Sequence, residues 1–484
     1  MELDDRALPL TRGQLDIWIA QEAGRFGAEW QLGLFVRIEG RVDRDALKWA
    51  IRRVVREAEP GRVACFEVDG RVFQRVIDYP DVELDFYDLS GSRDPVQEAR
   101  GIASLIQGTP MPFTGPLFKF ALFRTRPDEF YWFTCCHHIV IDGSGIALVG
   151  HRIASVYTAV VSGTPIPRAF FGSLQDLVSS ELEYEASTDY LEDQAYWSGN
   201  LPSESGPDYR WTQAANERQP YWPSAPVRLD PAVLRRVDEL SHVLNMSRAS
   251  VITAACALMV RSWCAEGSEV VLDFPVSRRV RPELKTLPGM VAGVVPLVLR
   301  VSADTTVASF FEHVDTRIRE ALQHQRFPVQ ALERKTHPRA APGQPVHRVS
   351  INFVPSLFAL DFGGVAASAS YTSSGLVGGF GLFFSGDADQ LFLSTAGAGG
   401  PFSNFDVSDL AGRLQRVLAA MIANPWRRVS SIDVLDAGEH ARLDEIGNRA
   451  VLTRPATPVS VPALFAAQVA RTPEAVALSC GGRS

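Results

Sequence analysis

The chain has 484 residues, of which 46% are hydrophobic and 21% are charged. This composition is typical of globular proteins and excludes disorder, collagen-like repeats and coiled coil. The length predicts two to four folding units, or one large two-lobed domain. With 48 basic and 56 acidic residues the net charge is −8, so no global basic field is available to hold nucleic acid.

The first residues and the apolar runs predict a protein that is neither secreted nor bound to a membrane. Residues 1–14 carry acids where a signal peptide has a basic segment followed by an apolar one. The apolar run Val251–Val260 falls short of the roughly 18 residues that a membrane span needs. The six cysteines include no C-x-x-C pair, so no disulfide scaffold is predicted. We therefore expect a cytoplasmic protein without a membrane partner.

Predicted helices and strands alternate through the first third of the chain, where apolar residues recur at either helical or strand spacing. The predicted elements are a helix at Leu10–Ala23, a strand at Leu32–Ile38, a helix at Asp43–Arg56, strands at Val63–Val68 and Val72–Ile77, a helix at Pro95–Gln107, and strands at Leu117–Phe123 and Glu129–Cys136. A loop at His137–Gly143 leads into a further amphipathic helix.

Residues 162–226, rich in Pro, Glu, Tyr and Ser, predict a connection between two lobes, with charged helices at Leu174–Ser198 and a loop at Leu201–Pro220. Alternation then resumes with the same order of elements but without a sequence repeat. Helices are predicted at Pro231–Leu244, Ser250–Cys264, Val307–Gln323 and Val407–Ile422, and strands at Val270–Val276, Val291–Val301, Val349–Val354 and near Leu382 and Leu391.

One segment, Thr134–Gly143, combines groups that carry chemistry. Two adjacent imidazoles, His137 and His138, follow a strand, and Asp142 and Gly143 precede a helix. Histidine can accept and return a proton near neutral pH. The start of a helix offers unpaired N–H groups, which Gly143 lets a substrate approach closely. Asp142 can cap that helix or pair with a cation.

This His-His-x-x-x-Asp-Gly segment resembles the core motif of the condensation domains of nonribosomal peptide synthetases, in the chloramphenicol acetyltransferase-like superfamily. The resemblance covers about residues 8–440. The segments that resemble further motifs of the family, in the family's order, are Leu10–Trp18, Pro275–Arg279, Gly289–Leu297 and His324–Pro328. Residues 461–478 resemble the first residues of an adenylation domain.

The resemblance implies an α/β fold of two acetyltransferase-like lobes, set in a V-shaped pseudo-dimer with the active site in a tunnel between them. It implies an N-terminal lobe at residues 1–175, linker helices and a C-terminal lobe at 176–450, and the truncated start of an adenylation domain at 451–484. The implied reaction is amide formation between a donor acyl or peptidyl thioester and the α-amine of an acceptor aminoacyl thioester.

The resemblance also implies the roles of five residues. His138 takes the amine proton or orients the amine, and the Gly143 N–H is a candidate donor to the tetrahedral oxyanion. His137 braces the loop, while Asp142 pairs with Arg279 across the lobes. No metal site is expected, because adjacent side chains diverge and no third ligand has zinc spacing.

The implied partners are carrier proteins, whose 4′-phosphopantetheine arms present both substrates, so no cofactor bound by the domain itself is expected. The acceptor carrier and the adenylation domain belong to the same synthetase. Gly293, where many relatives carry Asn, and Val54–Pro60, which replaces a usual motif, depart from the family pattern. These departures favour a starter-type domain that takes an acyl donor in trans.

Two other functions stay open at this stage: an ester-forming acyltransferase that uses the same histidine, and a non-catalytic docking platform. The intact core motif argues against the platform. The remaining segments have structural interpretations. The basic segment Arg278–Lys285 predicts a solvated loop, with contact to a carrier as the alternative. Gly375–Gly381 predicts a bend rather than a phosphate cradle, and Trp18 and Trp30 predict packing aromatics.

Overall fold

The structure is a computed structural model of the chain. It describes residues 6–23, 28, 30–78, 82–203, 223–263, 268–336, 348–354, 360–374, 380–387, 390–397, 405–447, 449, 453 and 459–477. Most of the predicted loop at Leu201–Pro220 and of the segment Gly375–Gly381 lies outside these residues. The contacts divide the chain into two compact units, Met1–Val434 and Leu435–Ser484.

Residues up to 200 form seven strands and six helices among the described residues. The strands are β1 (Leu8–Pro9), β2 (Gln31–Ile38), β3 (Val63–Val68), β4 (Arg71–Val76), β5 (Leu84–Asp88), β6 (Phe118–Arg126) and β7 (Glu129–His137). The helices are α1 (Arg12–Ala23), α2 (Arg44–Glu57), α3 (Pro95–Gly108), α4 (Gly143–Val161), α5 (Leu174–Glu185) and α6 (Thr188–Asn200).

The described residues after 222 contribute eight strands and seven helices. The strands are β8 (Val227–Arg228), β9 (Glu269–Val276), β10 (Gly293–Arg300), β11 (Val349–Val354), β12 (Leu360–Asp361), β13 (Ala366–Ser374), β14 (Phe380–Asp387) and β15 (Gln390–Gly397). The helices are α7 (Pro231–Leu244), α8 (Arg248–Trp263), α9 (Val307–Gln323), α10 (Val329–Thr336), α11 (Val407–Ala423), α12 (Ala437–Ile446) and α13 (Val461–Arg471).

Two six-stranded sheets, each with its own apolar core, make two lobes within the first unit. The strand order is β12-β13-β2-β7-β6-β5 in the first lobe and β10-β9-β11-β14-β15-β8 in the second. A third, three-stranded sheet has the order β1-β4-β3. Its strands come from the same part of the sequence as the first lobe. The predicted α/β fold with two lobes is confirmed.

Helix α4 follows the His-His loop and buries its apolar stripe in the first core. Ile146, Val149 and Ile153 are at most 2% exposed, and α2 packs along the same helix. Among the described helices, α4 alone has the length and mean hydropathy of a membrane span. Helices α7 and α8 have them only if the two are taken together as one span, which would be bent by 111°. The burial of its stripe gives α4 the role of a core helix.

The core of the second lobe is built around α8. Its run from Val251 to Val260 is at most 5% exposed throughout, because β9, β11, α9 and α11 pack around it. A helix that is apolar on all sides is stable only when it is covered on all sides. The short apolar run therefore marks a central helix.

Strand β13 comes from the second half of the chain but pairs with β2 of the first lobe. A β-bulge at Thr372 interrupts this ladder, and the Thr372 hydroxyl donates to Oε1 of Gln107 at 2.6 Å. The bond passes over Gly33, where an added Cβ would lie 1.9 Å from the threonine oxygen. Glycine is required there because the buried bond fills the space of a side chain.

We expect Gly33→Ala to lower the free energy of unfolding by about 1–3 kcal/mol, since it must break a buried hydrogen bond. Urea unfolding would measure the change. The matched control is Gly101→Ala in α3, where nothing lies within 4 Å of the new Cβ; there alanine should stabilise the helix by about 0.5–1 kcal/mol. Equal effects at both positions would contradict this account of the bulge.

Candidate active site

Strand β7 carries the two histidines to one end of the first sheet. All nine of its residues are buried, and its ladder with β2 ends at the pair Gln31 and His137. The N–H of His138 then donates to the carbonyl of Trp30 at 2.7 Å. The side chain of His137 is thus fully buried, whereas that of His138 is partly exposed where the turn begins.

A backbone hydrogen bond fixes the tautomer of His138. Its Nδ1 lies 2.9 Å from the carbonyl oxygen of Ile141. A carbonyl only accepts, so Nδ1 carries the proton and Nε2 keeps its lone pair. Burial lowers the pKa of His138 below 6.5, although the carboxylate of Asp142 acts in the opposite direction. At neutral pH the imidazole is uncharged, and Nε2 can accept a proton.

Both ring nitrogens of His137 are engaged by protein groups. Its Nε2 lies 2.7 Å from Oε1 of Gln21, and its Nδ1 accepts the N–H of Ile139 at 3.1 Å. Burial, and then the neighbouring His138, lower the pKa of His137 to about 3. The ring is neutral, and both of its nitrogens are hydrogen-bonded to protein groups. It is therefore suited to bracing the loop and not to exchanging a proton with a substrate.

Asp142 caps α4 and also binds a cation, so the two sequence-based alternatives occur together. Its Oδ1 accepts the N–H of Gly145 at 2.8 Å. The guanidinium of Arg279, three residues after the end of β9, donates to both carboxylate oxygens at 2.6 and 2.8 Å. Burial alone would raise the pKa of Asp142, but the ion pair and the N–H donors hold it below its usual value.

The same ion pair organises part of the connection between β9 and β10, residues 287–292, which we call the floor segment. Asp142 accepts the N–H groups of Val291 and Ala292 at 3.0 and 2.9 Å. Arg279 donates to the carbonyls of Leu287 and Gly289 at 3.2 and 3.0 Å. Asp142 and Arg279 therefore hold the start of α4 in the first lobe and the floor segment of the second lobe in one arrangement.

Gly143 is the first residue of α4, so its N–H has no partner within the helix. Apart from its chain neighbours and the backbone of α4, a Cβ added at Gly143 would meet one atom within 4 Å, the hydroxyl oxygen of Tyr371, at 3.7 Å. The space on the Cβ side of Gly143 is therefore open except for that phenol. Tyr371 lies in β13, whose Ala- and Ser-rich sequence carries no strand signal, and the sequence analysis did not identify it.

The first motif, Leu10–Trp18, contacts the His-His loop through Gln14. Gln14, 1% exposed, donates through its amide nitrogen to the carbonyl of Ile139 at 3.0 Å. Trp18 stacks on Phe113 with centroids 4.2 Å apart, as expected for a packing aromatic. Trp30 packs against the core and also lies edge-on to His138, with ring centroids 6.1 Å apart.

Arg278 turns away from its neighbour Arg279, from a left-handed backbone with φ 54°. It donates through Nε to the carbonyl of Gln325 at 3.0 Å and through Nη2 to that of Phe327 at 3.3 Å. Its N–H reaches Oε1 of Gln325 at 3.0 Å. The prediction of a solvated loop is therefore wrong for Arg278, because two backbone carbonyls draw its side chain inward.

The guanidinium of Arg278 also explains the glycine at position 293. A Cβ on Gly293 would lie 2.2 Å from Cζ of Arg278. Any side chain at position 293 must displace that group, so the departure from Asn is coupled to the position of Arg278. In this chain the guanidinium fills the space beside β10.

We expect Gly293→Asn to lower the free energy of unfolding by about 2–3 kcal/mol, through overpacking and the loss of hydrogen bonds to a charged group. A double-mutant cycle with Arg278→Ala would measure the coupling by urea unfolding. In the Arg278→Ala background the asparagine should cost less than about 1 kcal/mol. Additive effects of the two changes would contradict the steric coupling.

No three His, Cys, Asp or Glu side chains cluster as metal ligands among the described residues. Cys135 and Cys136 are fully buried free thiols, and burial raises the pKa of both. The site therefore consists of the His-His loop, the start of α4, the interlobe ion pair and the floor segment.

The family model for the condensation domain matches residues 5–443. The chain belongs to the condensation domain family. Its relatives include the dimodular nonribosomal peptide synthase of Bacillus subtilis, 27% identical over 98% of this chain. Enterobactin synthase component F of Escherichia coli K12 is 25% identical, also over 98%. The predictions of a condensation domain and of an acyltransferase are confirmed.

Solved condensation domains share the fold. The first condensation domain of the calcium-dependent antibiotic synthetase, in complex with a substrate analogue, superposes with a TM-score of 0.77 and 28% identity, covering 89% of this chain and all of that one. The starter condensation domain of rhizomide synthetase, in complex with C8-CoA and Leu-SNAC, gives 0.78 and 26%, covering 89% and 98%. The chain spans only 20% and 36% of the Bacillus and Escherichia relatives named above.

Proposed function

We propose that this condensation domain forms an amide bond between a donor acyl or peptidyl thioester and the α-amine of an acceptor aminoacyl thioester. The amine attacks the donor carbonyl, the C–S bond breaks, and the proton lost by the amine passes to the departing thiolate. The observation that carries the proposal is the uncharged imidazole of His138, whose Nε2 keeps its lone pair. It stands beside a helix start and an ion pair that joins the lobes.

In this reaction His138 accepts the amine proton through Nε2, or orients the amine through the same atom, and returns the proton to sulfur. The N–H of Gly143 stabilises the oxyanion that forms on the donor carbonyl. His137, Asp142 and Arg279 hold the loop and the floor segment in place. Positioning of the two thioesters supplies much of the rate, because a neutral amine already attacks thioesters.

Carrier proteins are the proposed partners, each presenting its substrate on 4′-phosphopantetheine. Similarity to the starter condensation domain of rhizomide synthetase supports an acyl donor that arrives on a carrier in trans. The acceptor carrier belongs to the same synthetase. We assign residues 451–484 to a linker and the start of an adenylation domain, which the relatives that align over 98% of the chain support. With such partners, we propose that the reaction takes place in the cytoplasm.

Intact-mass analysis of an acceptor carrier tests the proposal. The aminoacyl-loaded carrier is incubated with the protein and a panel of acyl- and aminoacyl-loaded donor carriers, beside His138→Ala. A mass gain that matches one donor and is lost in the variant supports amide formation. A gain only with a hydroxyacyl acceptor would establish ester formation instead. No gain with either acceptor, while the carriers still bind, would leave a docking platform.

A further inference from the structure

Tyr371 is placed at the helix start by the second half of the chain. It lies in β13 opposite Leu34 of β2, directly before the bulge at Thr372. The hydrogen bond from Thr372 to Gln107 holds that bulge in the first lobe. A bulge changes the direction in which neighbouring side chains point. The strand that crosses between the lobes thus sets the position of the phenol.

The hydroxyl of Tyr371 stands over the opening at Gly143, 3.7 Å from the position that a Cβ would take, and is the one atom within 4 Å of it apart from the chain neighbours and the backbone of α4. Burial raises the pKa of Tyr371, and the nearby carboxylate of Asp142 acts in the same direction. The phenol therefore keeps its proton through the physiological range. A neutral phenol can donate one hydrogen bond to an oxygen placed beside it.

We infer that Tyr371 is a second hydrogen-bond donor to the thioester oxygen that the proposed function places at the Gly143 N–H. When the amine attacks, the carbonyl oxygen gains negative charge, and the O–H of Tyr371 stabilises that charge without giving up its proton. The amine proton still travels by way of His138 to the departing sulfur. Donors aimed at the developing charge act on kcat more than on substrate binding.

The test is Tyr371→Phe, which removes only the hydroxyl. Its matched control is Tyr157→Phe in α4, whose hydroxyl accepts the N–H of Asp43 at 3.0 Å and has no assigned part in the reaction. We expect Tyr371→Phe to lower kcat about 100-fold with KM changed less than about threefold. Tyr157→Phe should keep wild-type kcat and lose stability only. Thermal unfolding of all three proteins verifies that each is folded.

Infrared spectroscopy gives a second readout that packing alone would not move. The probe is the donor acyl group that turns over, labelled with 13C at its carbonyl and bound as a pantetheine thioester. Its C=O stretch should lie at lower frequency on the wild type than on Tyr371→Phe. Equal frequencies, or a kcat for Tyr371→Phe within threefold of the wild type, would overturn the role of Tyr371. A wild type that transfers no acyl group at all would overturn the proposed function, and this role with it.

Discussion

Replacement of His138 by alanine is expected to lower kcat for amide formation about 1000-fold, within the range for loss of a general base. The fold should survive, because the imidazole makes one hydrogen bond, to the carbonyl of Ile141, and is partly exposed. The free energy of unfolding should change by no more than about 1 kcal/mol. Single-turnover assays with loaded carriers and urea unfolding would measure the two quantities separately.

The pH dependence of the rate distinguishes the titration of His138 from that of the substrate amine. Catalysis needs the uncharged imidazole, and its pKa lies below 6.5, so its contribution is complete at neutral pH and is lost in acid. The residual rate of His138→Ala reports titration of the amine alone. The ratio of wild-type to variant rates should be constant at neutral pH and above, and it should fall in acid, because the pKa of His138 is lowered. A constant ratio into acid would contradict a role for the lone pair of Nε2, whether in proton transfer or in orienting the amine.

An exposed histidine provides the matched control for the alanine substitution. His151 lies on the solvent side of α4, the helix that begins at the site. His151→Ala should retain the wild-type rate and pH profile. If it lost activity as His138→Ala does, the assay would be reporting damage to α4 and not the loss of a group at the reacting atoms.

Arg279→Met is expected to lower the free energy of unfolding by about 3–5 kcal/mol, because it leaves the buried carboxylate of Asp142 without its counter-charge. The guanidinium is 6% exposed and the carboxylate 1%. The substitution also removes the donors that hold the carbonyls of Leu287 and Gly289. Amide formation should therefore fall at least about 100-fold even at temperatures where the variant stays folded.

Arg152→Met is the matched control for that ion pair. Arg152 is 2% exposed and pairs with Glu57 at 2.8 Å, but both residues belong to the first lobe. We expect a comparable loss of stability with activity retained in the cold. Equal loss of activity in both variants would contradict a special role for the interlobe pair.

Acid gives a second check on the pair of Asp142 and Arg279. The folded-state pKa of Asp142 lies below 3.8, so the contribution of the carboxylate to stability is present at neutral pH and is lost as the pH falls below about 4. Arg279→Met should weaken that part of the acid dependence. An unchanged slope of stability against pH in this region would argue that other carboxylates dominate it.

Helices with regular apolar spacing and clear ends were predictable from the sequence. Pro231–Leu244 and Val307–Gln323 occur with the predicted bounds, and their caps, Asp230 and Thr306, accept helix N–H groups as such residues do. The His-His loop was predictable as well, since a buried strand and an amphipathic helix flank it. Local sequence carries this information because it fixes local hydrogen bonds.

The parts that depend on distant pairing were not predictable. Strand β13 is rich in Ala and Ser and gains its conformation from the ladder with β2. The position of Tyr371 follows from that ladder. The inward turn of Arg278 likewise depends on carbonyls in the segment Gln325–Phe327, some 47 residues away along the chain. Neither arrangement produces a periodic pattern in the sequence from which it could be predicted.

The pairing of β13 with β2 has a consequence for synthesis on the ribosome. Strand β7 ends at residue 137 and β13 at residue 374, so 237 further residues must be made before the edge of β2 is covered. At about 5–20 residues per second this takes roughly 10–50 s. During that interval the apolar strand QLGLFVRI presents open backbone groups to other nascent chains. Truncation between the lobes would make this exposure permanent, so a shortened chain is better ended after Val434, where the first compact unit ends.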